Sequence, residues 1–230
     1  MKKITFARAA LAGAVMMGAA TAANAVTLEG ATMWFSFDET SLDSLWGGFS
    51  VAGDKLSFDP TEFTLSSADN GFGLLERQTP TITITAKDGF HLTTIGLNEK
   101  GDYLIKAFGT VPLHEVRAQG QFYVDGTPTE LDSGLFSTPA TKSTPWDIAV
   151  SESLNDVALT NVKLQNLLTA DLFAVNNGSQ SIGLVFITKK IVEVWAISEA
   201  ATVVPLPPAA WMLGSALVGL VAVGRRKLGV

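Results

Sequence analysis

The run "PTITITAK" (80–87) alternates Ile82, Ile84 and Ala86 with threonines. A period of two in β-branched residues is the pattern of a strand that buries one face and wets the other. The same texture recurs in "TMWFSFD", "DKLSFD", "TEFTLS", "FHLTTIGL", "DYLIKAFG" and "GQFYVDG", and later in "DIAVSE", "SIGLVFITKK" and "IVEVWAIS". Turn residues separate these runs: Asp69-Asn70-Gly71, Asp88-Gly89, Lys100-Gly101-Asp102, Asp125-Gly126 and Asn176-Asn177-Gly178. Short strands with turn signals about every 8–12 residues predict an all-β fold, an antiparallel β-sandwich or jelly roll, over residues 26–204. "VKLQNLLTADLFAV" also admits a helix, since Leu164, Leu167 and Leu168 fall at i, i+3 and i+4; its valines and asparagines favour a strand. "GTPTELDSGLFSTPATKSTP" (126–145) reads as a loop-rich surface excursion.

The two ends are of a different material. "MKKITFARAALAGAVMMGAATAANA" opens with Lys2, Lys3 and Arg8, continues with an apolar stretch too short for a span of roughly 20 residues, and closes on the small residues Ala23 and Ala25. That order predicts a secretory signal helix over 1–25, cleaved after Ala25. Between the ends lie all 22 acidic residues but only ten of the 16 basic ones, a net charge of −12. Such a body repels nucleic acid, which is excluded as a partner. The chain has no cysteine, so disulfides, thiol nucleophiles and a lipid-modified cysteine are excluded too.

At the far end, Pro205, Pro207 and Pro208 stop any final strand. Sixteen uncharged residues follow (209–224), about 24 Å as a helix, and predict a short transmembrane helix. Trp211 stands at its interface, Gly214 and Gly219 lie within it, and Arg225, Arg226 and Lys227 end it on the side that cations favour, the cytoplasm. With a cleaved leader upstream, the domain lies outside the inner membrane.

This tail, "VPLPPAAWMLGSALVGLVAVGRRK", resembles the C-terminal sorting signal of PEP-CTERM proteins, in the variant reading Val-Pro-Leu-Pro-Ala. The resemblance implies a Gram-negative, exopolysaccharide-producing host and recognition by exosortase, a transpeptidase-like membrane enzyme. It also implies processing near the motif Val204, Pro205, Leu206, Pro207 and Pro208, with delivery to the cell surface or extracellular matrix. Leu206 stands where the founding motif has glutamate, and Pro208 where the variant has alanine. "DGFHLTTIGLNEKGDYLIKAFG" and "LFAVNNGSQSIGLVFITKKIVEVWAI" are similar to stretches of short exported β-sandwich proteins with such tails.

The body shows no catalytic motif. His114-Glu115-Val116-Arg117-Ala118 begins like a zincin helix but lacks the second histidine, and "GSQSIG" misses the nucleophile elbow. Paired carboxylates for a matrix-glycan hydrolase could be drawn from 22 acids in many ways, so they single out none. "DETSLD" (38–43) and "DGTPTELD" (125–132) lack the ligand order of a calcium loop and read as solvated turns. No cofactor and no metal site is expected. Of the four tryptophans in the body, Trp34 and Trp195 sit in apolar strand patterns and read as core; Trp46 and Trp146 are loop-like and could stack on a sugar ring. The expectation is a non-enzymatic cell-surface or matrix protein of structural or adhesive role, with exopolysaccharide as a candidate ligand and exosortase as a transient partner.

Overall fold

The computed structural model describes residues 25–68, 72–108, 114–139, 142–172 and 182–201. Of the expected signals, Ala23 and the rest of the leader before Ala25, the sorting motif 204–208, and Trp211, Gly214, Gly219, Arg225, Arg226 and Lys227 lie outside the described residues. Among the described residues no helix is long and apolar enough to cross a membrane.

The described chain is all-β and forms two antiparallel sheets packed as a sandwich. One sheet has the order β1 (Ala25–Glu29), β2 (Met33–Asp38), β7 (Ile82–Ala86), β12 (Leu159–Leu172), β9 (His114–Val124), β10 (Thr127–Asp132), and β6 (Phe72–Gln78) also pairs with β12. The other has the order β11 (Thr144–Val157), β8 (Phe90–Phe108), β13 (Ile182–Ala200), β4 (Lys55–Asp59), β3 (Gly48–Val51), with β5 (Thr64–Ala68) also on β13.

Both sheets share one plan. A long central strand, β12 or β13, has a long partner on one edge, β9 or β8, and two short collinear strands on the other. The breaks between the short strands are bridged by single residues. Between β6 and β7, Pro80 ends the ladder, and buried Thr79 donates its N–H to the Leu164 carbonyl at 2.9 Å. Its Oγ1 accepts the Leu164 N–H at 3.0 Å. Between β4 and β5, the Phe63 carbonyl accepts the Lys189 N–H at 2.9 Å.

Alternation sets the interior. Met33, Phe35 and Phe37 of β2, Ile82 and Ile84 of β7, and Val162, Leu164, Leu168 and Ala170 of β12 point inward against Leu92, Ile95 and Leu97 of β8. Each such side chain contributes about 1.5–3 kcal/mol when fully buried. The same alternation corrects one expectation: Trp34, between Met33 and Phe35, points outward and is 36% exposed. Residues 159–172 are strand, as their valines and asparagines predict.

Two further expectations need correction. The predicted excursion at 126–145 contains β10, whose Leu131 is buried, and Phe136 bridges back to Val116. Lys100-Gly101-Asp102 is not a turn but the middle of β8. Gly101 is there for space: a Cβ would overlap the Trp146 ring and the Thr188 carbonyl. At Asp125-Gly126 the turn is real, with φ of 47° and 86°, both positive as a tight β9–β10 hairpin requires.

Among the described residues, one charged cluster is wholly interior. Lys189, Glu99 and Asn166 each have no exposed surface. Lys189 Nζ donates to Glu99 Oε2 and, at 2.6 Å, to Asn166 Oδ1. Lys189 stands just before a bulge. Val185, Ile187 and Lys189 share the inward phase, Lys190 is the extra residue, and Val192, Val194 and Ala196 resume the inward row.

Candidate functional site

Neither tryptophan proposed for stacking is available. Trp46 lies in a short 3-10 turn, Ser44–Trp46, and is fully buried against Phe58 and Phe63, with its Nε1 donating to the Gln78 carbonyl at 3.3 Å. Trp146 lies in β11 opposite Gly101 and is also buried, because the missing glycine side chain leaves a slot for the indole. Trp46 is loop-like as its neighbours predict, whereas Trp146 is in a strand and not a loop.

Trp34 and Phe72 reach solvent on the outer face of the sheet built on β12, while Phe90, as exposed as Trp34, lies on the other sheet. Trp34 stands beside Thr85, itself opposite Leu159, at one end of that strand. Phe72 stands opposite Asp171 at the other and is 64% exposed. The twelve residue steps from Leu159 to Asp171 span about 40 Å at strand rise. Lys87 Nζ sits 4.8 Å from the Trp34 ring centroid and is bonded to Glu29, which fixes the edge of that face.

Between these aromatics the outward side chains are mainly amides and charges, with Leu74 and Leu167 among them. Register places Gln78, Gln165, Gln121 and Glu130 in one row across four strands, and Glu76, Leu167, Gln119 and Asp132 in the next. All of them but Gln78 line a groove of about 300 Å³ floored partly by Leu167 and Gly120. A second groove of about 410 Å³ lies beside it, lined by Gln78, Tyr123, Asn161 and Lys163 among others. The Tyr123 hydroxyl marks the boundary, donating to Gln121 Oε1 and, at 3.2 Å, toward Gln165 Oε1. Gly120 keeps the floor low, since a Cβ would collide with the Gln165 carbonyl.

Arg117 closes one end of the first groove through a two-pronged contact with Asp132, its Nε donating at 2.8 Å. That hydrogen bond, reinforced by the Gly134 N–H, holds the Asp132 carboxyl below the usual carboxylate range. Chemically, the face offers neutral amide donors and acceptors in rows, a few fixed charges, and apolar ends. This suits an extended polyhydroxylated ligand better than a compact one. Sequence reasoning missed these residues because each glutamine alone is an ordinary surface residue. A period-2 count of "HEVRAQGQFY" would have put Arg117, Gln119, Gln121 and Tyr123 on one face.

The other candidates resolve into structural duties. Asp38 and Asp43 cap the two 3-10 turns, accepting from the N–H of Thr40 and Leu45. Asp125 accepts from the N–H of Asn161 at 2.8 Å, tying the hairpin tip to β12. His114–Ala118 belongs to strand β9 and not to a helix. Among the described residues, no three His, Asp or Glu side chains converge as a metal site. Ala25 is the first residue of β1, and Val26 pairs with Phe37.

No family model matches the chain, and no curated relative matches it. Among solved structures, it is similar to a chain of infectious bursal disease virus Gt strain, with TM-score 0.31 and 8% identity over 71% of this chain. It spans 43% of the length of that viral chain. It is also similar to a family 29 carbohydrate binding module, with TM-score 0.16 and 8% identity, covering 64% of this chain and 70% of the module. Likenesses this distant assign no activity.

Proposed function

We propose that this is an exported cell-surface or matrix protein of structural and adhesive role, whose β12-centred sheet face holds matrix polysaccharide. The observation that carries the reading is the outer face itself: rows of amides and carboxylates, grooved, with Trp34 and Phe72 near its two ends. Amide rows supply hydrogen bonds to hydroxyls, and aromatic faces cover the apolar C–H side of a sugar ring.

Export by the 1–25 leader is supported by its order of basic residues, short apolar stretch and small residues Ala23 and Ala25. Cleavage after Ala25 would leave Val26 paired with Phe37. The helix 209–224 then holds the domain at the inner membrane until exosortase processes the 204–208 motif. The sequence order of prolines, apolar run and basic end supports this step.

Retention of the protein on immobilised exopolysaccharide tests the binding surface. Substituting Trp34→Ala with Phe72→Ala, or Gln121→Ala with Gln165→Ala, is expected to weaken retention by about tenfold, the equivalent of roughly 1.4 kcal/mol. Unchanged retention in both pairs, with wild-type circular dichroism, would sink this face as the binding surface.

A further inference from the structure

Asn166, Lys189 and Glu99 come from three strands and two sheets, β12 facing β13 and β8. Their arrangement is more specific than that of a buried ion pair. Lys189 Nζ lies 2.6 Å from the side-chain carbonyl oxygen of Asn166. The Asn166 Cγ is one C=O bond further, about 1.2 Å, hence within about 3.8 Å of the amine and close to attack distance. Glu99 contacts the same amine through Oε2, while its Oε1 has no partner among the described residues. The Asn166 Nδ2 and Trp146 Nε1 have no partner either. The Phe63 and Trp146 rings stand 5.7 and 5.6 Å from Nζ and wall the group from water.

As an ion pair this arrangement is poor, because it buries two charges and leaves polar atoms unpaired. As a reaction site it is complete: an amine nucleophile, an amide electrophile, a carboxylate to carry protons and a dry aromatic enclosure. We propose that Asn166 and Lys189 join spontaneously in the folded protein through an amide bond between their side chains, with Glu99 as the proton carrier.

The step balances without any co-reactant. Glu99 takes one proton from the Lys189 ammonium, and the neutral Nζ attacks Cγ of Asn166, forming the C–N bond. The tetrahedral adduct gives up a second Nζ proton, and Glu99 mediates its delivery to the Asn166 amide nitrogen. The Cγ–Nδ2 bond then breaks and the nitrogen leaves as ammonia. Lysine ammonium, asparagine amide and glutamate carboxylate become a secondary amide, ammonia and a neutral glutamic acid. Net charge is zero on both sides, and the ions that were costly to bury are gone. Burial also pushes the Lys189 amine below its ordinary pKa, against the opposing pull of Glu99, which favours the nucleophilic form. In a chain with no cysteine, the bond is a cross-link that needs no oxidant.

Tandem mass spectrometry of a tryptic digest of the purified full chain tests this directly. Trypsin cuts after Lys163, so Asn166 and Lys189 fall in one peptide. The expected product runs from Leu164 to Lys190, resists cleavage after Lys189 and is lighter than its sequence by one ammonia. A second cut, after Phe173 or Phe186, should leave two pieces still joined. An unmodified linear peptide ending at Lys189 overturns the proposal. So does an ammonia-deficient peptide that falls into two pieces at the second cut, which would be a cyclised Asn177-Gly178 instead. Asn166→Ala and Glu99→Gln should each abolish the joined species. A folded Glu99→Gln protein that still carries the bond overturns the role of Glu99. The wild-type digest decides whether the bond exists even where a variant fails to fold.

Discussion

Trp46 is the side chain whose loss the fold should feel most. It fills the space between Phe58 and Phe63 and donates to the Gln78 carbonyl, so truncation leaves both a cavity and an unpaired acceptor. Trp46→Ala is expected to lower unfolding free energy by about 3–5 kcal/mol in a urea titration. His114 supplies a pH dependence. Its imidazole is buried with Nδ1 unpartnered, and burial pushes its pKa down, with Asp171 opposing. The unfolded chain therefore takes up a proton near pH 6.5 while the fold still refuses it. Stability from this group is intact above that pH and falls as pH drops below it, so the urea midpoint should decline from pH 7.5 to 5.5. The decline should be smaller in His114→Gln. Some of this was legible in the sequence. Val162, Leu164, Asn166, Leu168 and Ala170 form an inward row in which one asparagine interrupts four apolar residues, and Ile187-Thr188-Lys189 repeats the anomaly. What spacing could not say is that these two misfits meet, because they lie on different sheets.

The central strands explain which elements could be read in advance. Period two identified β7, and applied strictly to β2 it would have turned Trp34 outward, where reading the residue as core did not. It failed at Lys100-Gly101-Asp102, where glycine serves a packing indole and not a reversal of the chain. It also could not reveal the bulge at Lys190, since an extra residue only announces itself when both halves of β13 are seen against β8. Deleting Lys190 should remove the bulge and leave Lys189 and Val192 facing inward opposite Gly101 and Glu99, so the protein is expected to keep cooperative unfolding by circular dichroism, whereas an added residue beside Ile191 should abolish it. The bridge at Thr79 makes a milder claim. Thr79→Val keeps the shape but strands the buried Leu164 N–H, at a cost of about 1–3 kcal/mol in the same titration.

At the scale of the molecule, an acidic sandwich is predicted to travel between two lipid-compatible ends. Removing 205–230 is expected to send the domain into the medium, where fractionation and immunoblotting should find it; retention in the membrane fraction would refute the assigned anchor. The sandwich would hang from its last strand, since β13 ends at Ala200 beside the β7–β8 turn, where the Ala201 N–H meets the Gly89 carbonyl. Traction on a tethered cell would therefore enter at Ala200 and unzip β13 backwards, one rung at a time. Lys189 sits eleven residues in from that end. A covalent tie there would arrest the tear midway and pass the load across to β12, so the ligand-facing sheet would keep its shape while the tether strains.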